Sequence, residues 1–202
     1  MPYTIRPRRL GVLVAAVFAS GILMAAAPVG ALAACPSSST SHPLQAFGDD
    51  AAYALLTGSS FESGAPGWSL SEAAVAKGSW SDGSTHGSHS LAIQPHGVAV
   101  SPSFCVSTAE PSFRFFLRQT SGSWGVLNVI LRWTEASGAT NNTEIAALQT
   151  GTTWTLSPVL QLATTLPLWQ AGSTLSARLV FKPEPYGGAW AIDDVYIDPY
   201  SR

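Results

Sequence analysis

The sequence predicts an all-β sandwich or jelly roll of about eight strands. Three observations predict it. Charged residues make up only 11% of the 202 residues, against about 25% in an ordinary domain, while Gly (18), Pro (14) and Trp (7) are plentiful. From Tyr53 onward, short segments alternate apolar with polar residues, rich in β-branched and aromatic types, and clusters of Gly, Ser, Pro and Asn separate them. No segment after that point carries the periodicity of a long amphipathic helix.

The elements follow in order. Residues 71–77 (SEAAVAK) have helical propensity, but the stretch between Gly67 and Gly78 is too short for an independent helix, so tertiary context is expected to make it a strand. Residues 91–94 and 97–101 are two weaker strands on either side of Pro95 and His96. In residues 113–119 (FRFFLRQ), Phe113, Phe115 and Leu117 share a core side, which turns Arg114, Phe116 and Arg118 the other way. Residues 126–134 (VLNVILRWT) place Leu127, Val129, Leu131 and Trp133 inward and Val126, Asn128, Ile130 and Arg132 outward. Residues 143–148 and 159–162 are weaker strands. Residues 175–182 (LSARLVFK) repeat the pattern, with Leu175, Ala177, Leu179 and Phe181 inside and Ser176, Arg178, Val180 and Lys182 outside. Residues 190–197 (WAIDDVYI) close the domain.

The first 33 residues read as a secretory signal. Arg6, Arg8 and Arg9 precede an uncharged apolar stretch at 10–30, and Ala31-Leu32-Ala33 offers small residues where a signal peptidase reads. The competing reading is an uncleaved anchor, since about 20 apolar residues can span a bilayer; Pro28 and the small-residue exit favour cleavage. Arg8-Arg9 is a weak match to a twin-arginine signal. With the three leader arginines gone, seven of the ten bases remain against twelve acids, a net charge of −5 in place of −2. The export signal implies a secreted protein. A −5 charge is the wrong sign for nucleic-acid binding.

The rest divides into an N-terminal segment, 34–56, and a sandwich domain, 57–202, expected to be a monomer. Two readings of Cys35 stand open. Leu32-Ala33-Ala34-Cys35 resembles a lipobox, which would anchor a lipoprotein at the outer side of the membrane. Alternatively, Cys35 pairs with Cys105, the only other cysteine. That disulfide would close a loop of about 70 residues and contribute roughly 4 kcal/mol.

Three landmarks carry a resemblance: residues 58–70 (GSSFESGAPGWSL), 87–91 (GSHSL) and 190–196 (WAIDDVY). They resemble the galactose-binding-like β-sandwiches that serve as carbohydrate-binding modules. The Phe47-Gly48-Asp49 stretch and a second cysteine before Arg114-Phe115-Phe116 also resemble small secreted actinobacterial proteins. The resemblance implies a structural calcium between first and last strands, held by Glu62 and by Asp193 or Asp194. Asp82 is a further oxygen donor, since calcium takes six to eight oxygens. Adjacent aspartates in a strand point to opposite faces, so one of the pair is expected to face inward.

A ligand surface follows from alternation. Arg114, Arg118, Arg132, Arg178 and Lys182, five of the seven mature bases, fall on outer faces of three strands, together with Phe116 and Asn128. If those strands share a sheet they form one basic, half-apolar face suited to an acidic glycan or cell-wall polyanion. Trp124, in the loop SGSWG, is the best-placed sugar-stacking aromatic; Trp80, Trp154 and Trp169 also lie near loops. His86, His89 and His96 lie close in sequence but lack neighbouring cysteine ligands. Asp49-Asp50 is a carboxylate pair, and glycoside hydrolysis needs two such acids across a cleft. No G-x-S-x-G, P-loop, G-x-G-x-x-G or HExxH motif occurs. The expected function is an exported, non-enzymatic β-sandwich that binds carbohydrate or cell-wall polymer. A small secreted glycan hydrolase or lyase, and a purely structural surface protein, are the alternatives.

Overall fold

The computed structural model describes residues 35, 38–81, 87–107, 112–134, 138–162 and 174–198. The leader at 1–33 lies outside the described residues, as do Asp82, His86 and Trp169. The described strands are β1 (Ala54–Leu55), β2 (Ser69–Lys77), β3 (His89–Val100), β4 (Phe104–Ser107), β5 (Ser112–Gln119), β6 (Leu127–Thr134), β7 (Thr140–Leu148), β8 (Thr155–Leu156), β9 (Leu160–Gln161), β10 (Thr174–Pro183) and β11 (Trp190–Asp198). Residues 71–77 are strand as expected, because β2 pairs along β3. The two weak strands around Pro95 are one. Between the pairs Ser71–Val98 and Ala73–Ile93, residues 94–97 bulge out of β3, and the strand resumes beyond them.

That long strand joins two layers. Residues 91–93 of β3 pair with β11, whereas Ala99 and Val100 pair with β10. The sheet order is β7-β6-β10-β3-β11-β5-β8, with β4 beside β10 and β1 on β11. Because the sheet curls, β5 and β10 face one another across the core: the Phe115 and Phe181 ring centroids are 5.0 Å apart. The inward residues read from alternation are buried there, among them Phe113, Leu117, Val129, Leu131, Leu179 and Trp190.

A second, smaller cluster lies on the other face of β5 and β11. Leu44, Tyr53, Phe116 and Tyr196 are buried together, with Trp80, Trp154 and Leu156 packed on them. The N-terminal segment, with its 3-10 turn at Gln45–Phe47, supplies part of this cover. Cys35 and Cys105 form a disulfide. The sulfur that lipidation would take is thereby occupied.

Candidate functional site

On the outer face of β6 and β10 the register sets Arg132 directly opposite Arg178 and Thr134 opposite Ser176. On the other side of β6, Arg132 faces Asn142 and Thr134 faces Thr140 of β7. These side chains, with Ser69, Val100 and Ser103, line a groove of about 560 Å³. Alternation explains the placement: the residues between them, Leu131, Trp133, Ala177 and Leu179, are buried in the core.

The groove is electrostatically one-sided. Like charges directly opposite one another on paired strands repel. Among the described residues neither arginine is ion-paired, and no carboxylate lines the groove. Arg132 Nε donates to Asn142 Oδ1 at 2.8 Å, which orients the guanidinium. Its remaining donors, the fork of Arg178 and the hydroxyls of Thr134 and Thr140 make no other hydrogen bond among the described residues, whereas the Ser103 and Ser176 hydroxyls are hydrogen-bonded to each other. An anion bridging the two guanidiniums relieves their repulsion and accepts charge-assisted hydrogen bonds.

Asn128 and Lys182 lie opposite each other further along the same two strands. The rest of the expected basic face is elsewhere. Between β10 and β5 stand β3 and β11, and β5 belongs to the opposite layer, so Arg114, Phe116 and Arg118 do not share a surface with Arg132 and Arg178. Nor are they open. Phe116 is 1% exposed; Trp80 stacks on it at 3.9 Å between centroids, and the Phe47 ring meets both edge-on. Arg114 Nη1 is 3.0 Å from Asp49 Oδ2, and its Nε and Nη2 both donate to the Ser157 carbonyl. The Arg118 guanidinium lies over the Trp154 ring, 4.8 Å from its centroid. These contacts are the cover of the second cluster. Asp49, considered as a catalytic acid, is the counter-ion of Arg114 and also accepts from the Tyr53 hydroxyl.

The two aspartates of β11 also depart from simple alternation. Between Asp193 and Tyr196 the β5–β11 register shifts by one residue, and Asp194 there takes a positive φ of 43°. The bulge re-aims the extra residue. Asp193 Oδ2 accepts from Ser79 Oγ and the Trp80 amide, while Asp194 Oδ2 accepts from Trp80 Nε1 and the Tyr196 hydroxyl. Both carboxylates are therefore buried beneath Trp80, on the side of β11 away from the main core, and neither faces that core. Burial, reinforced by the neighbouring Asp194 charge, pushes the Asp193 carboxyl up to about 8.

Glu62 is occupied separately: its Oε1 accepts from the amides of Ser88 and His89 at 2.8 and 2.6 Å, and its Oε2 meets His89 Nδ1 at 3.2 Å. Backbone and side-chain hydrogen bonds from His89 hold its carboxyl below the usual range although desolvation opposes them. Among the described residues no group of three or more His, Cys, Asp or Glu is placed to hold a metal ion. The described oxygens of Glu62, Asp193 and Asp194 already accept hydrogen bonds, which does not fit a calcium shell of six to eight oxygens. Asp82, the fourth expected donor, lies outside the described residues.

Trp124 is 89% exposed, as its loop position suggested. Sequence reasoning passed over Tyr186, which is 98% exposed. Its setting in EPYGG signals a turn, but a turn signal does not say whether an aromatic ring folds back onto the core.

No protein-family model matches the sequence. No curated protein matches it either. Solved structures do share the fold. The CBM22-1 xylan-binding domain of Paenibacillus barcinonensis Xyn10C superposes with a TM-score of 0.52 at 19% identity, covering 73% of this chain and 96% of that one. The CBM22-1–GH10 modules of Clostridium thermocellum xylanase 10B, solved with xylohexaose, give 0.53 at 13% identity, over 71% of this chain and 28% of that one. The tandem CBM22-1–CBM22-2 domain of the Paenibacillus enzyme gives 0.52 at 17% identity, over 72% and 45%. The chain has the galactose-binding-like β-sandwich fold of these carbohydrate-binding modules.

Proposed function

We propose that this protein is an exported, non-enzymatic glycan-binding module whose ligand is an acidic polysaccharide held in the groove of β6, β7 and β10. One observation carries the reading: Arg132 and Arg178 face each other, without ion partners among the described residues, in a groove lined otherwise by hydroxyls, an amide and one valine. Paired guanidiniums suit the planar carboxylate of a uronic acid or an ester sulfate or phosphate. The hydroxyls and the Asn142 amide suit sugar hydroxyls. The fold supports the class of ligand, since the structures named above are of xylan-binding modules. A hydrolase would need two carboxylates across the cleft, and the described lining of this groove holds two arginines and no carboxylate. The leader supports export.

The test is retention on immobilised acidic and neutral polysaccharides, wild type against the Arg132→Ala/Arg178→Ala double variant. Wild type is expected to be retained on acidic polymers and released as salt rises, because exposed ion pairs are screened. The double variant is expected to run through while keeping its Tm. Equal retention of both proteins, or wild-type retention on neutral polymers alone, refutes the assignment.

A further inference from the structure

We infer that the ligand track does not end at the arginine groove but continues along β6 and β10 to an aromatic subsite formed by Trp124 and Tyr186, so that the ligand is an extended chain and not a terminal sugar. This rests on the glycan reading above.

Both rings are almost bare, at 89% and 98% exposure, yet the loops that carry them are tightly built. Loops 121–125 and 184–188 pack backbone against backbone. A Cβ on Gly125 would overlap the Gly187 carbonyl, and one on Gly188, at φ 91°, would overlap the Ser121 carbonyl. Gln119 Nε2 donates to the Gly187 carbonyl at 2.7 Å, the Ala189 amide donates to Ser121 Oγ at 2.9 Å, and the Glu184 amide donates to the Val126 carbonyl at 2.9 Å. Trp124 and Tyr186 each precede a glycine of this joint. The joint thus fixes the backbone that carries two large rings, and the rings themselves are not used to stabilise the fold. Rigid aromatic anchors with few rotatable bonds lose little entropy on binding, which is how such side chains serve as contact platforms.

Their place in the fold links them to the groove. Leu127 pairs with Pro183 and Asn128 with Lys182, so the two loops cap the same two strands that hold Arg132 and Arg178. From Arg178 to Pro183 the strand covers roughly 17 Å at about 3.3 Å per residue. Along that path the outer face carries half-buried Ile130, paired with Glu144 of β7, and then Asn128 and Lys182 as donors, whereas Val180, expected outward from alternation, is 3% exposed and belongs to the buried set. At the far end the His96 ring, from the bulge in β3, meets Tyr186 edge-to-face at 6.1 Å. Glu184 also lies at that end, so the aromatic subsite suits the uncharged C–H face of a sugar ring while the acidic group belongs with the arginines.

The test is calorimetric titration with oligogalacturonates and hyaluronan oligosaccharides graded from two to about ten sugars. For wild type, affinity is expected to rise with length until the chain spans the track. Trp124→Ala/Tyr186→Ala should keep its Tm, bind the shortest binding oligomer as wild type does, and lose about tenfold on the longest, or about 1.4 kcal/mol. Affinity independent of length in wild type, or undiminished long-chain binding by the variant, overturns the extended track and leaves the arginine groove standing. No binding of any length by wild type overturns both.

Discussion

Replacing Phe116 by alanine separates a ligand-contacting aromatic from a buried one. Phe116 is 1% exposed and lies between the main sheet and its cover, with Trp80 parallel to it at 3.9 Å and 6° and Phe47 edge-on at 5.2 Å. Truncating a buried Phe costs about 3–5 kcal/mol through lost transfer energy and the cavity left behind. The cover can settle partway into that cavity, because Phe47 is 48% exposed and sits at the surface. This argues for the lower half of the range, while loss of the stacked pair adds about 0.5–1.5 kcal/mol. The expected loss is about 4 kcal/mol, or about 8–16 °C in Tm at about 2–4 °C per kcal/mol for a domain of this size. Urea unfolding followed by tryptophan fluorescence measures it directly, since Trp80 reports on the stack. The companion variant Arg132→Ala, on the open face of the other layer, should change stability by no more than about 0.5 kcal/mol. A Phe116→Ala protein as stable as wild type but unable to bind acidic polysaccharide would refute the placement of Phe116 in a closed cluster and restore it to a ligand surface.

Other outcomes follow from the same structure. Reducing Cys35–Cys105, whose members are 70 residues apart, should lower stability by roughly 4 kcal/mol; a Tm indifferent to reductant in a protein shown by mass to be oxidised would contradict that value. Asp193 holds its proton to about pH 8 in the folded state but releases it near pH 4 when unfolded. The folded state therefore binds the extra proton between those limits, and stability should fall as pH rises from about 4 to about 8. Asp193→Asn should flatten that fall, and an unchanged pH profile would show that the carboxyl is ionised in the fold. For calcium, the hydrogen bonds already made by Glu62, Asp193 and Asp194 predict no change in Tm on adding the ion or a chelator. A rise with calcium that chelation reverses would bring the segment containing Asp82 into the ligand shell.

Much of the fold was legible because alternation is a local property. The inward sets of β5, β6 and β10 are the buried ones, and a helical propensity at 71–77 yielded to pairing with β3 as expected. The limits of the reading are non-local. Alternation separates two faces of a strand but does not say whether the second face meets water or another part of the chain; for Arg114 and Phe116 it meets the N-terminal segment and Trp80. Nor does it say which strands are neighbours. β6 and β10 pair although some forty residues separate them along the chain, while β5, nearer to β6 in sequence, lies in the opposite layer. The bulge at Asp194 is likewise invisible in the letters IDD, because one added residue on β11 shows only against its partner strand. Arg132 and Arg178 were legible as outward positions on their strands, but that they stand directly opposite one another needed the β6–β10 register. The partnership of Arg132 with Asn142 needed the β6–β7 register.

An acidic glycan bound in the Arg132–Arg178 groove would touch three strands of one layer. Amide chemical-shift mapping during titration with an acidic oligosaccharide tests that contact most directly. Perturbations are expected to centre on β6, β7 and β10 around Arg132, Asn142 and Arg178, and to be absent from the Arg132→Ala/Arg178→Ala protein. Perturbations confined to β5, Trp80 and Trp154 would contradict binding in the groove.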